Sequence, residues 1–518
     1  MSKRRVTSSF LVFLMFSSIL IALVGPATPV MADNETTSGT ITTSETWSGT
    51  HQLTGDVTIA SGAKLIIQPG TTVIFPNGTY LDVRGNICAG VSSCGASGDA
   101  SLANKITLRW TEPSNSSAIG ECKGMKQGTQ EIQVEDPSCF EGMLIRSSID
   151  LSETGFRHIT FEDAWGIPYY IDSINRWRYG AMVIDGASPT LTQMRFTNIN
   201  TSSVLTTNLA QPIFEGGTYV AGNDDQSGVG GSAVQIYGSG TQISPLVMNS
   251  PFFIGTDNGC GNNDGGRPTL WAEGTFIEIN DATVNTGDYG FALVSSSGSL
   301  TNSDINVNCN GVDINGIKSV QGVDFTIEIG NNEITTDSGS GITVYDGANV
   351  ELHNNDISGV GERSGITVQS SKAYIHNNEI GPIGGWNGLW LTGSFDVIAE
   401  RNTIIDTAKT PIQVGELSSS GPAPSASRLH FTNNTVSVNS PGTCSSFKYW
   451  DGDYTCPAVS IFRSGVTLYD NEFDLGGDAD GIRAVGGLMD VQRNLWSIPG
   501  TGAVIRNYDS GFANTQQY

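Results

Sequence analysis

Apolar and polar positions in the last third of the chain fall into one phrase that returns seven times: apolar-x-apolar-x-x-Asn-x-apolar. Its asparagines are Asn332, Asn355, Asn378, Asn402, Asn434, Asn471 and Asn494. The steps between them are 23, 23, 24, 32, 37 and 23 residues, so the unit is about 23 residues and the two long steps each carry an insertion. Around Asn355 the apolar positions are Val350, Leu352 and Ile357, and around Asn378 they are Ala373, Ile375 and Ile380. Alternation with period two puts one side of a short strand inside. A second strand is predicted about 12 residues upstream of each asparagine, where Gly-Ile-Thr-Val begins at Gly341 and at Gly365 and Gly-Leu-Trp-Leu at Gly388. Glycine is abundant (64 residues) and Val, Ile and Thr recur between turn formers, so no helical run competes.

Similar strands repeated at a fixed period pair with the coil above and below, and crossovers between parallel strands are overwhelmingly right-handed. The expected fold is all-β, a single-stranded right-handed parallel β-helix (solenoid) of roughly 14 to 17 coils, on the order of 70 Å long at strand spacing. Asparagine suits the turn because it tolerates a left-handed backbone, and its amide both donates and accepts. Stacked amides are then expected to bond from coil to coil as an internal ladder. Upstream, Gly55 to Ile59, Lys64 to Ile67 and Val73 to Phe75 fit as strands, and so do Met143 to Ile145, Met182 to Ile184, Val234 to Ile236 and Phe291 to Val294, in a looser pattern.

The Asn-Asn-x-Ile phrases resemble the right-handed parallel β-helix superfamily, which has the pectate-lyase-like fold and includes both enzymes and non-enzymatic surface proteins. The resemblance implies a fold and no particular activity. The phrases Gly-His-Gly, Asn-Thr-Asp, Trp-x-Asp-His and Asp-Pro-His, which would suggest particular enzymes of that superfamily, are absent.

Lys3, Arg4 and Arg5, an apolar stretch from Phe10 to Val24 and then Val30-Met31-Ala32 read as an export signal over 1–32. A Thr/Ser-rich flexible segment is expected over 33–46, the helix over 47–510 with loops at 416–427 and 440–457, and a tail over 511–518. Export makes the eight cysteines candidates for disulfides. Local pairing suggests Cys88 with Cys94, Cys122 with Cys139 and Cys444 with Cys456, leaving Cys260 with Cys309. Two coils separate the members of that last pair, so one of them must sit on a loop. The 26 basic and 51 acidic residues give a net charge of −25, which argues against nucleic acid as a partner. No membrane span is expected once the signal is removed.

Three carboxylates, Glu333, Asp356 and Glu379, occupy the same position in successive coils and read either as an exposed acidic stripe or as a calcium site. His353 and His376 stack in the same way without a third ligand beside them. The outward row Thr343, Thr367, Trp390, Gln413, Ser460 and Arg483 is the most suggestive, because both long loops flank it. Aromatic faces beside polar groups suit sugars. The carbohydrate candidates are Tyr345, Trp386, Trp390, Tyr449, Trp450 and Tyr454, and the aromatic rings of the loop read equally well as its packing around its own disulfide. Asp346 and Arg363 are the candidate catalytic pair. The expectation is a secreted or cell-surface protein, non-enzymatic, that binds polysaccharide or another cell-surface component. The alternatives are a polysaccharide lyase or hydrolase acting in the same groove, and a purely structural spacer.

Overall fold

The computed structural model describes residues 35–111, 125–126, 133–134, 140–222, 232–256, 260, 268–316, 326–361, 363–393, 396–415, 428–439, 442–444, 454–462, 464–485, 489–498, 500, 502, 504–507 and 515–517. The export signal, the Cys122 with Cys139 pair, the 416–427 loop, Tyr449 and Trp450 lie outside the described residues, and nothing is described of the Cys444 and Tyr454 side chains.

Each coil turns through three short strands. In one, Ile342–Tyr345 lies on the first face, Asn349–His353 on the second and Asp356–Ser358 on the third. The next coil repeats them as Ile366–Gln369, Lys372–His376 and Glu379–Ile380, each paired in parallel with its predecessor. Among the described residues the second face stacks seventeen strands from Glu45–Trp47 to Thr515–Gln517, which by strand spacing makes a rod roughly 75 Å long. Glu35–Ile41, inside the segment expected to be flexible, is a strand paired in parallel with Thr50–Ile59. No helix among the described residues is long and apolar enough to cross a membrane.

The recurring asparagine sits at the corner between the second and third faces, so the phrase is two strands bent at that residue. The left-handed residue is not the ladder asparagine but the one before it. Asn331, Asn354, Asn377, Arg401, Asn433, Asp470 and Arg493 all have φ between 52° and 57°. The ladder asparagines from Asn332 to Asn471 are buried and are selected for hydrogen bonding. Each donates an amide N–H to the amide oxygen of the next, at 2.9 Å from Asn332 to Asn355, from Asn355 to Asn378, from Asn378 to Asn402, from Asn402 to Asn434 and from Asn434 to Asn471. The last step, from Asn471 to Asn494, is 2.8 Å. Upstream the corner passes to Ser303, whose backbone N–H donates to the Asn332 amide oxygen, and then to Ala282.

Inside, one column of side chains runs up the third face. Phe161 is in register with Phe196, Tyr219 with Phe253, and Phe253 with Val284, followed by Ile305, Ile334, Ile357, Ile380 and Ile404. The upstream half is therefore packed by aromatic rings, with centroids 4.9 Å apart at Phe161 and Phe196 and 5.8 Å apart at Tyr219 and Phe253. That column and the missing corner asparagines explain why the repeat is loose in the upstream sequence. The disulfides Cys88–Cys94 and Cys260–Cys309 have Cα separations of 5.7 and 5.6 Å. Cys260 lies between Phe252–Ile254 and Pro268–Glu273, on the loop that the second pairing requires. Cys456 is also disulfide-bonded.

Upstream, the first face is covered. Ile167–Ile171 folds back antiparallel on the start of Arg176–Asp185 and makes a small second core with the outward-pointing Leu144, Val183, Leu205 and Tyr237. Strands buried on both sides lose their alternation, as Met143-Leu144-Ile145 and Met182-Val183-Ile184 do.

Candidate functional site

The first face brings the expected outward row into register: Thr343 beside Thr367, then Trp390, Gln413, Ser460 and Arg483. Upstream of the repeated phrase the row continues to Asp313, beside Thr343, and to Ala292, beside Asp313. Its far end is closed. Arg483 is only 4% exposed and donates to the fully buried Asp480 carboxylate at 2.6 Å, which also accepts from Arg506 at 2.7 Å. With the hairpin over the upstream end, the stretch from Asp313 to Gln413 is the portion of this face that the described residues leave open.

At one end of that stretch stand two tryptophans. Trp390 lies on the strand Leu389–Thr392, and Trp386 lies in the corner before it, anchored by Asn387, whose buried amide donates to the Thr410 carbonyl at 2.6 Å. The two indoles meet edge to face, with centroids 6.1 Å apart. Trp386 is 39% exposed. The Arg363 guanidinium lies 5.6 Å and the Lys409 ammonium 5.1 Å from its ring centroid, distances at which a cation is held by the ring quadrupole. The Trp390 indole N–H is buried and meets no acceptor among the described residues. An orphaned buried donor costs about 1–3 kcal/mol, so it needs an explanation.

At the other end is Asp313. Asn310 donates its amide to both carboxylate oxygens, at 2.9 and 3.3 Å. Burial nevertheless pushes the carboxyl up to about 6, against the opposing pull of Asn310 and the Thr343 hydroxyl. Burial, then the charge of Asp313, raises the phenols of Tyr289 and Tyr345, while Arg363 pulls Tyr289 back down. Asp313, Tyr289, Tyr345 and Arg363 therefore share one electrostatic neighbourhood. Asp313 is not among the residues expected from the sequence, because the asparagine phrase that marks the row begins only after it. Asp346, expected to act with Arg363, sits exposed in a left-handed turn (φ 58°) and makes no ion pair with Arg363 among the described residues. Arg363 is directed to the tryptophans.

The remaining candidates lie on other faces. Glu333, Asp356 and Glu379 do stack in register on the third face, extended upstream by Asp304, and all four are exposed. Among the described residues no group of three or more His, Cys, Asp or Glu is arranged to hold a metal ion. His353 and His376 stack on the second face with centroids 5.3 Å apart. Their Nε2 atoms lie 2.9 and 3.0 Å from the carboxylates of Glu328 and Glu351. Asn354 and Asn377 approach the Nδ1 atoms, which assigns the ε tautomer from the hydrogen-bond network. The histidines are thus committed to these glutamates.

A second perturbed carboxyl lies near the N-terminal coils. Burial, then the charge of Asp56, pushes Glu141 up to about 7. A raised carboxyl destabilises the fold only when ionised, so its cost is absent below about pH 4 and complete above pH 7. Replacing Glu141 by glutamine is expected to stabilise the protein by about 2 kcal/mol at pH 8 and by nothing at pH 4. Urea titrations at the two pH values check this, and equal shifts at both would show that the carboxyl is not held neutral.

The three-strand coil, its parallel stacking and its continuous core define a right-handed parallel β-helix. Residues 290–475 match the family model described as the right handed beta helix region. No curated protein matches the sequence. Among solved structures, the chain is similar to DFA-IIIase from Arthrobacter chlorophenolicus A6, at 11% identity over 88% of this chain and 77% of that chain, with a TM-score of 0.25. It is similar also to a mutant tailspike protein of E. coli bacteriophage HK620 in complex with a hexasaccharide, at 11% identity over 88% and 73%, with a TM-score of 0.28. A third is the receptor-binding protein of bacteriophage Det7, at 8% identity over 96% and 78%, with a TM-score of 0.25. Similarity at that level says nothing about what this chain binds.

Proposed function

We propose that the protein is an extracellular glycan-binding β-helix, and that the glycan lies along the first face between Trp390 and Asp313. The observation that carries this reading is the edge-to-face pair of the exposed Trp386 and the half-buried Trp390, in which the Trp390 indole N–H meets no acceptor among the described residues. A sugar offers a C–H face to an aromatic ring and a hydroxyl oxygen to an orphaned donor. Asp313 stands three strands from Trp390 in the row, about 14 Å by strand spacing, which is the span of about three sugar rings laid along the rod axis. Disulfides suit an oxidising compartment.

The raised carboxyl of Asp313 favours a second reading, in which the same groove cleaves its glycan with Asp313 as the acid. Hydrolysis asks for two facing carboxylates, and the outward row from Ala292 to Gln413 supplies one, so binding is the better account. The test is retention on a panel of immobilised polysaccharides, with assay of the eluate for new reducing or unsaturated ends. Trp390→Phe, which keeps a ring and removes the N–H, is expected to weaken retention about tenfold, equivalent to about 1.4 kcal/mol. Trp386→Ala is expected to weaken it at least as much. New ends that disappear in Asp313→Asn would establish the enzymatic reading. Retention unchanged in both tryptophan variants would leave a structural spacer as the account.

A further inference from the structure

We infer that the glycan is acidic, and that Arg363 and Lys409 select its negative charge at Trp386. The inference rests on the glycan-binding reading and adds the chemical class of the ligand.

The protein is strongly acidic, with 51 carboxylates against 26 cationic side chains. Among the described residues, nine of its lysines and arginines are paired with a carboxylate. Lys64 is paired with Glu153, Arg146 with Asp82, Arg401 with Glu400 and Arg493 with Asp470. Arg363 and Lys409 instead approach the same indole, at 5.6 and 5.1 Å, and neither makes an ion pair among the described residues. Two like charges at one ring repel each other, and the ring quadrupole offsets only a fraction of that. An anion that touches both at the edge of the ring would relieve the repulsion.

The placement is built by the fold. Arg363 enters the strand Ile366–Gln369, Trp386 enters the strand of the next coil, and Lys409 enters that of the coil after. The Trp386 backbone N–H donates to the Arg363 carbonyl at 2.8 Å, which fixes the first two together. The cations and the ring between them therefore come from three consecutive coils at the same corner, and the unpartnered Trp390 N–H lies beside them. A neutral sugar seated on Trp386 would replace the water around both cations with hydroxyl acceptors alone and leave their charge uncompensated. A sugar carrying a carboxylate or sulfate compensates that charge, because the same contact pairs its charge with theirs. The −25 net charge repels any polyanion at a distance, but beyond about 8 Å at physiological ionic strength that repulsion is screened. The local cations decide the outcome.

The test compares retention on polygalacturonate, on its fully methyl-esterified form and on a sulfated galactan, using the full chain, Arg363→Gln, Lys409→Gln and the double variant. Thermal unfolding of each variant checks that the fold is intact. The expected result is retention on polygalacturonate or the sulfated galactan about tenfold stronger than on the ester, with that preference lost in the double variant. The polymer that binds more tightly identifies the anion as carboxylate or sulfate. Equal retention on charged and neutral polymers, or a double variant that binds like the parent, overturns the inference. If Trp390→Phe still loses retention in that case, glycan binding stands and only the charge selection fails. If no glycan responds to Trp386→Ala or Trp390→Phe, both readings fail.

Discussion

Replacing Asn378 by alanine is expected to destabilise the helix by about 4 kcal/mol, a large loss for one substitution. The Asn378 amide oxygen accepts from the backbone N–H of Asn355 at 3.0 Å and from its amide at 2.9 Å. The amide nitrogen donates to Asn402 Oδ1 at 2.9 Å, to the Leu352 carbonyl at 2.9 Å and to the His376 carbonyl at 3.1 Å. Alanine removes all five bonds and strands buried groups on both neighbouring coils, each at about 1–3 kcal/mol before relaxation. Aspartate at the same position keeps the acceptor but loses the donor and buries a charge, so it is expected to be no better. The exposed Asp356→Asn serves as the control and should move stability by less than about 0.5 kcal/mol. Urea unfolding measures the loss, and hydrogen exchange should place it in the coils around Lys372–His376. A loss below about 1 kcal/mol would mean that water replaces the ladder.

The second large effect is expected at Gly298, on the strand Ser297–Thr301 of the second face. Its φ is +132°, and a Cβ there would lie 1.7 Å from the carbonyl oxygen of Ile277 in the coil below. That oxygen is backbone and cannot swing away, so Gly298→Ala must push the paired strands apart and disturb the bond from the Gly298 N–H to the Thr326 carbonyl, now 2.9 Å. The expected cost is at least about 4 kcal/mol, seen as loss of soluble yield or as early unfolding in urea. Gly347 separates the two components of that cost. It also has positive φ (+82°) but nothing within 4 Å of an added Cβ, so Gly347→Ala should cost only the backbone term of about 1 kcal/mol. Equal effects at the two glycines would show that the close approach at Gly298 is not what limits the site.

The coil was legible wherever identical residues recur at identical positions. Asn355, Asn378 and Asn402 announce the ladder because each needs the same partner in the next coil, and hydrogen bonding leaves little choice of side chain. The Cys260–Cys309 bridge was the pair that local pairing left over, and its loop requirement followed from strand spacing. Upstream, the same inward positions are filled by Phe161, Phe196, Tyr219 and Phe253, and the corner is held by Ala282 and Ser303. Packing there needs volume and not a particular chemistry, so the sequence does not repeat visibly. The hairpin over Leu144, Val183 and Leu205 had a signal, since apolar residues at outward positions need a cover, but the partner strand Ile167–Ile171 is antiparallel and outside the repeat.

At the site, the alignment of Thr343, Thr367 and Trp390 was legible because register is arithmetic. The role of Arg363 was only half legible. The coil pattern suggested Asp346 as its partner, whereas the corner places its guanidinium over Trp386. Asp313 escaped because its environment is made by neighbours from several coils, Asn310, Thr343 and Tyr289. Burial of that kind is a property of the stack and is invisible along the chain.

The asparagine ladder spans coils of very different chain length with the same bond. The step from Asn402 to Asn434 covers 32 residues, that from Asn434 to Asn471 covers 37 and that from Asn355 to Asn378 covers 23, yet all three amide contacts are 2.9 Å. The amides sense the return of the chain to the corner and not the path taken in between. Loops on this rod are in that sense interchangeable cassettes. One loop can be exchanged for another between coils while the ladder bond at the corner is kept.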